Sequence, residues 1–222
     1  MLKYAHVLED YQIIDKGEIE SPKSSVDELI DRIEELYKKD TSVDGIAISL
    51  PGSVDSSTGF CYSAGALGYY AGMNLAKMIS ERLNGINVVL ENDGKAAVKV
   101  EAMIGSLKDV SDGFAIIMGT GIGGGYVKDH KVVKGHNFSC GEVSLLAIDK
   151  DAGVFGKMWA NVSSTGSIVG KYMKAKGLED CNGHIFMDSV ENNDEVAVEI
   201  LKDAALETAK QIFNMQTLLD VE

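Results

Sequence analysis

The apolar run at residues 88–90 hands three polar side chains, Glu91, Asn92 and Asp93, to the start of a helix-compatible stretch at 94–103. Open α/β sheets place ligands where a strand ends and a helix begins, and a carboxylate there can accept a proton from a hydroxyl. The structural alternative is that Asn92 or Asp93 merely caps the helix starting at Gly94. A second stretch, GTGIGGG at residues 119–125, lies between the apolar run 114–118 and the pair Tyr126 and Val127; a polar tip of Lys128, Asp129 and His130 then leads to Val132 and Val133. That order is strand, glycine turn, strand. Dinucleotide and Walker loops need a following helix whose N-terminus faces the phosphates, and residues 125–134 have no helical periodicity. What remains is a glycine hairpin whose backbone N–H groups and Thr120 hydroxyl can approach a polyphosphate where no Cβ stands in the way. A tight hairpin that binds nothing is the other reading. Taken together, the two stretches supply a base beside an acceptor hydroxyl and a cradle for phosphates, the two parts that phosphoryl transfer needs.

Holding such groups takes an α/β scaffold, and the rest of the chain has the periodicities for one. Tyr4, His6 and Leu8 alternate as one face of a strand, Glu9 and Asp10 mark a turn, and residues 11–19 form a second extended run, so a hairpin is the simplest arrangement. Ser24 and Ser25 can cap a helix in which Val26, Leu29, Ile30, Ile33, Leu36 and Tyr37 share a face, with Asp27 and Glu28 in its first turn. Residues 45–50 (GIAISL) read as a buried strand ending at Pro51 and Gly52, and the DSSTG turn at 55–59 returns the chain through Phe60, Cys61 and Tyr62. Leu75, Ala76, Met78, Ile79 and Leu83 mark a further helix, and the helix at 94–103 is expected to turn Ala96, Ala97 and Val100 inward. The order β, β, α, β, α, β, α implies an α/β domain with a mixed sheet. Residues 108–113 (KDVSDG) read as the join to a second unit, which opens on the glycine hairpin, passes through an irregular wall at 135–156 and ends in helices around 165–176 and 193–215.

Composition narrows the partners. With 222 residues and 45% hydrophobic side chains the chain can bury a sizeable core. Its 21 basic and 34 acidic residues give a net charge of −13, which opposes binding to nucleic acid or to an anionic membrane. A phosphate-bearing substrate must then be met by backbone dipoles, metal ions or a few lysines. No run approaches the ~18 apolar residues of a membrane span, and the opening MLKYAHVLED has no signal-peptide core, so a cytoplasmic protein is expected. Cys61, Cys140 and Cys181 are odd in number and far apart, which suggests plain buried or half-buried thiols. His136 and His184 lack partners at metal-ligand spacing.

SLPG at 49–52, ENDGKAA at 91–97, GTGIGGG at 119–125 and CGE at 140–142, in this order and spacing, resemble the ROK family of sugar kinases, repressors and related proteins. The resemblance implies an α/β, actin-like ATPase (ribonuclease H-like) fold with two lobes of mixed sheets flanked by helices, here a small lobe at 1–105 and a larger one at 106–222. It implies ATP-dependent phosphorylation of a carbohydrate hydroxyl, on glucose or a β-glucoside, with Mg²⁺. Asp93 matches the family's catalytic base, Asn92 and Glu142 its sugar-hydroxyl ligands, and Gly119, Thr120, Gly121 and Gly123 its second phosphate motif. Gly65, Ala66, Asn74 and Leu75 match a further pattern of the branch that includes bacterial β-glucoside kinases, Gly65 falling on the sugar side.

Departures refine these expectations. The family's zinc-binding His, three residues after the Glu matching Glu142, is Leu145 here, and the cysteine cluster that follows it is missing, so no zinc is expected. A sugar-contacting Glu of the zinc-bearing glucokinases aligns near Ala160, and Lys95 stands where the family commonly has Asn. Relatives begin with a strand ending in Asp-Gly-Gly-Thr, whose Asp helps to place Mg²⁺, and continue past Glu222 into a strand and a glycine pair that holds adenosine. The sequence is therefore expected to be cut at both ends, leaving a strand edge or slot unfilled and a marginal or self-associating protein. The alternative to a kinase is a catalytically inactive sugar-binding or regulatory relative. A repressor is disfavoured by the absence of a helix-turn-helix and by the charge. The expected partner is a small-molecule sugar, without nucleic acid or membrane, and a homodimer is the assembly left open.

Overall fold

The computed structural model describes residues 1–22, 24–65, 67–150 and 156–222. Ala66 of the sugar-side pattern and part of the irregular wall lie outside the described residues. The chain forms two compact units, Met1–Asn92 and Asp93–Glu222.

In the first unit, β1 (Leu2–Val7) and β2 (Ile13–Ile19) pair antiparallel with Leu2 opposite Ile19, and the register slips between His6 and Val7. Helix α1 (Val26–Tyr37) starts where the sequence expects: the Ser25 hydroxyl accepts the Glu28 N–H at 3.2 Å, and Leu29, Ile30 and Ile33 are buried. Strand β3 (Gly45–Leu50) runs parallel to β7 (Asn87–Asn92), so the chain must cross over between them. The crossover holds a small antiparallel sheet, β4 (Val54–Asp55), β5 (Phe60–Cys61) and β6 (Met73–Asn74), and then α2 (Leu75–Arg82), capped by Asn74, whose side-chain oxygen accepts the Lys77 N–H at 2.9 Å. Arg82 reaches from α2 to Asp31 (2.7 Å) and Glu34 (2.9 Å) of α1. Beneath them Ile30, Leu50, Tyr70, Leu75, Ile79 and Leu90 share one core. The single mixed sheet expected from the order of elements is two separate ladders here: among the described residues β1 pairs only with β2, antiparallel, and β3 only with β7, parallel.

The second unit begins with α3 (Asp93–Ile104) and an antiparallel sheet in the order β10 (Lys131–Val132), β9 (Ile122–Lys128), β8 (Gly113–Met118). A 3₁₀ turn at Val143–Leu145 precedes α4 (Ala160–Ser163), α5 (Thr165–Lys176), α6 (Gly183–Glu191) and α7 (Glu195–Leu219). The strand–glycine–strand pattern is thus a true hairpin, with Met118 opposite Ile122. Trp159 is fully buried with Ile122, Val143 and Met215, and a second cluster forms among Tyr172, Phe186, Ala197 and Ala204.

Helix α3 turns Gly94, Lys95 and Val98 inward, not Ala96, Ala97 and Val100, and Val100 is 53% exposed. The small alanines tolerate either environment, and the true inward face includes a lysine, whose charge hides it from any reading of apolar periodicity. All three cysteines are free thiols, and burial pushes the Cys61 thiol above its ordinary pKa.

Asp194 ties the helical part together. Its carboxylate caps α7, accepting from Val196 N–H (3.0 Å) and Ala197 N–H (3.2 Å), and lies 2.6 Å from Lys176 Nζ of α5. The Lys176 hydrogen bond, aided by the Ala197 N–H, holds it below the ordinary Asp range against a smaller opposing effect of burial. A depressed folded-state pKa stabilises above the unfolded value and is lost as pH falls through the folded one. Asp194→Ala should lower the melting temperature at neutral pH by about 2–4 °C. The deficit should shrink as pH falls below the ordinary Asp range and the folded carboxylate takes up its proton. Thermal melts across pH check this, and an equal deficit at every pH counts against it.

Candidate active site

In the first unit the parallel pair β3 and β7 ends together, with Leu50 opposite Asn92 and Ser49 opposite Glu91. Both carboxyl ends therefore deliver their loops on one side, as ligand sites in α/β sheets require. Asn92 is only 4% exposed, and its side-chain amide donates to the Gly52 carbonyl at 3.0 Å. Gly52 has φ 105°, and a Cβ on it would lie 2.2 Å from the Ser63 carbonyl oxygen, so only glycine fits. Gly65 rests on the same turn: a Cβ there would sit 3.1 Å from Pro51 Cβ. The fold thus gathers Asn92, Gly52 and Gly65 around the SLPG turn, with the Tyr70 hydroxyl donating to the Pro51 carbonyl at 2.8 Å.

In the second unit Asp93 is the first residue of α3 and is exposed, and one carboxylate oxygen accepts the Gly94 N–H at 2.9 Å. Two residues on, the Lys95 side chain is 2% exposed and its ammonium lies 3.2 Å from Glu142 Oε1, while the Glu142 side chain is 28% exposed. Glu142 follows Gly141, at φ 83°, on a loop pressed directly against β9; a Cβ on Gly141 would meet Gly125 Cα at 2.7 Å.

The glycine run divides in two. Gly124 and Gly125 are packing residues: a Cβ on Gly124 would lie 2.9 Å from the Ala115 carbonyl and 3.1 Å from Val143, and one on Gly125 would lie 2.9 Å from Val98. Gly119 and Gly121 are different. Neither has left-handed φ, and a Cβ on either would have nothing within 4 Å among the described residues. Neither backbone conformation nor packing asks for glycine at these two positions, and open space beside a backbone is what a bound phosphate needs. Gly123 brings the loop to the start of α3, since a Cβ on it would lie 3.7 Å from Gly94 Cα, beside Asp93. The start of α5 completes the arrangement: Thr165 N–H donates to Gly119 O at 2.9 Å and Gly166 N–H to Thr120 O at 3.3 Å. The positive end of a 12-residue helix thus faces loop 119–121.

The second unit brings Asp93, Glu142 and the loop with Gly119, Thr120, Gly121 and Gly123 onto neighbouring backbone, and the first groups Asn92 with Gly65. Sequence reasoning missed the start of α5 as a support of the loop. Its signal was Ser164, Thr165 and Gly166, a cap followed by a glycine, and a Cβ on Gly166 would lie 2.6 Å from Thr120 O. It also noticed Lys95 only as a departure and not as the partner of Glu142. Among the described residues no group of His, Cys, Asp or Glu side chains could hold a metal ion, and Leu145 is exposed. Among them, too, no helix is long and apolar enough to cross a membrane.

A β-glucoside kinase of Listeria monocytogenes is 28% identical over 224 residues, an alignment that takes in 99% of this chain and 76% of that kinase. A solved structure of a Listeria monocytogenes protein superposes with a TM-score of 0.90 at 24% identity, covering 99% of this chain and 76% of its own. A ROK family glucokinase from Streptomyces griseus, solved with glucose and AMPPNP, gives a TM-score of 0.83 at 20% identity, covering 98% and 76%. The actin-like α/β fold expected from the motifs is therefore the fold present. The sequence pattern of the ROK family matches residues 2–222, and the chain belongs to that family.

Proposed function

We propose that this chain is built to phosphorylate a carbohydrate hydroxyl, on glucose or a β-glucoside, with Asp93 as general base. Asn92, Glu142 and Gly65 hold the sugar, and Gly119, Thr120, Gly121 and Gly123 receive the phosphates. ATP with Mg²⁺ supplies the phosphoryl group when bound, and no zinc takes part. Asp93 accepts the hydroxyl proton as the oxygen becomes a nucleophile. The Gly119 N–H already donates to Gly121 O at 2.9 Å, so in this reading the Thr120 hydroxyl and the remaining loop backbone, backed by α5, meet the phosphate charge.

The observation that carries this reading is the open loop at Gly119 and Gly121, joined through Gly123 to the turn that presents Asp93. A kinase needs those parts side by side. The kinase names of relatives, including the Listeria monocytogenes β-glucoside kinase, agree with it.

The test is product analysis of the 222-residue chain with Mg·ATP and a panel of glucose, β-glucosides and N-acetylglucosamine, beside sugar and ATP titrations. Phosphorylated glucose or glucoside is expected. Sugar binding without turnover or ATP binding points instead to an inactive binding relative. Gly121→Ala should weaken ATP binding by about tenfold or more and leave the melting temperature within ~2 °C of wild type. Undiminished ATP affinity in that variant removes the loop from the reading.

A further inference from the structure

We propose that Lys95 is a positioning residue for sugar recognition, acting through Glu142: its ammonium fixes one carboxylate oxygen so that the other meets the sugar hydroxyl. This rests on the reading of Glu142 as a sugar ligand.

The pair is unusual in how it is buried. The Lys95 side chain is 2% exposed, with its stem on the inward face of α3 between Gly94 and Val98, and its ammonium 3.2 Å from Glu142 Oε1. The Glu142 side chain is 28% exposed. An ion pair with its cation buried and its anion partly in water is a poor source of stability, because desolvating the ammonium costs more than a half-screened partner returns. An unbranched apolar side chain at position 95 would fill the same space without that cost. The lysine therefore does something that packing does not require.

What it does follows from where Glu142 sits. Glu142 has three side-chain torsions and stands on an irregular segment, between Gly141 at φ 83° and the 3₁₀ turn Val143–Leu145. Its backbone is tied at both sides, Glu142 N–H to Ser139 O at 3.2 Å and Leu145 N–H to Glu142 O at 3.3 Å. The carboxylate is set by Lys95. With Oε1 engaged in a charge-assisted bond, the carboxylate is held in one orientation and Oε2 is assigned to the ligand. Prior restraint of a three-torsion side chain lowers the ordering cost of binding. The preference should therefore be for a sugar presenting a single hydroxyl to Glu142, with a deoxy analogue at that carbon binding poorly.

The experiment is calorimetric titration of glucose and a β-glucoside into the full chain, wild type beside Lys95→Met, Glu142→Gln and the double variant. Lys95→Met should weaken sugar binding by about tenfold or more while its melting temperature holds or rises. The double variant should bind no more weakly than Glu142→Gln alone, because in this proposal Lys95 affects the sugar through Glu142. Sugar affinity in Lys95→Met within about twofold of wild type, or losses that simply add in the double variant, overturns the proposal and leaves the sugar site standing. A wild-type chain that binds none of these sugars overturns the sugar reading itself, and the role of Lys95 with it. If Lys95→Met does not fold, Lys95→Gln, which keeps a donor and drops the charge, carries the same comparison.

Discussion

Asp93→Asn should lower phosphoryl transfer by about 10²–10⁴-fold while sugar binding survives. Asn keeps the size of Asp and an oxygen that can still accept the Gly94 N–H, now at 2.9 Å, so the first turn of α3 is preserved. Only the proton acceptor is lost. A helix-start role alone predicts the opposite pattern, in which Asn serves nearly as well and turnover is unchanged. The two readings therefore part on one number, the turnover of the variant under saturating sugar and ATP. Sugar titration of the same protein separates a third case, since a complete loss of binding would make Asp93 chiefly a ligand. Unchanged turnover would falsify the base assignment. The exposure of Asp93 in the structure agrees with a group that meets a substrate.

Gly141→Ala should destabilise the second unit by about 2–5 kcal/mol, the sum of a left-handed backbone penalty and a steric one. Gly141 has φ 83°, and a Cβ on it would lie 2.7 Å from Gly125 Cα and 3.2 Å from the Gly124 carbonyl oxygen. Those neighbours are backbone of β9, in a ladder with β8 on one side and β10 on the other, and cannot rotate aside. The chain must lift away, taking Glu142 off Lys95, so sugar affinity should fall together with stability. Urea unfolding of wild type and variant measures the first, and calorimetry of whatever fraction remains folded measures the second. A variant within about 0.5 kcal/mol of wild type would mean that this loop is free to move.

Much of this arrangement was legible in the sequence. Helix α1 announced itself through Ser25, the acidic first turn and one apolar face, and the glycine hairpin through strands on both sides of its turn. Local signals sufficed there because local contacts settle the structure. Three features were not legible, each for a long-range reason. The inward face of α3 includes Lys95, whose ammonium meets Glu142 from 47 residues away. The start of α5 supports loop 119–121 through hydrogen bonds that no window of sequence contains. And one mixed sheet could be drawn from the apolar runs, whereas among the described residues pairing couples β1 with β2 and β3 with β7 only.

The division within residues 119–125 bears on how sequences of this kind diverge. One letter repeated through the run is held by two unrelated constraints: Gly124 and Gly125 by the atoms packed against them, Gly119 and Gly121 by open space alone. Selection for folding acts on the first pair whatever the protein does. Under the proposed function, selection for a ligand in that space acts on the second, because an added Cβ there has nothing within 4 Å among the described residues. Lineages that abandon phosphoryl transfer yet keep the fold should drift first at positions 119 and 121, with 124, 125 and 141 lagging behind. Read that way, the two halves of a single glycine run become a clock for lost activity and a control for retained structure within the same seven residues.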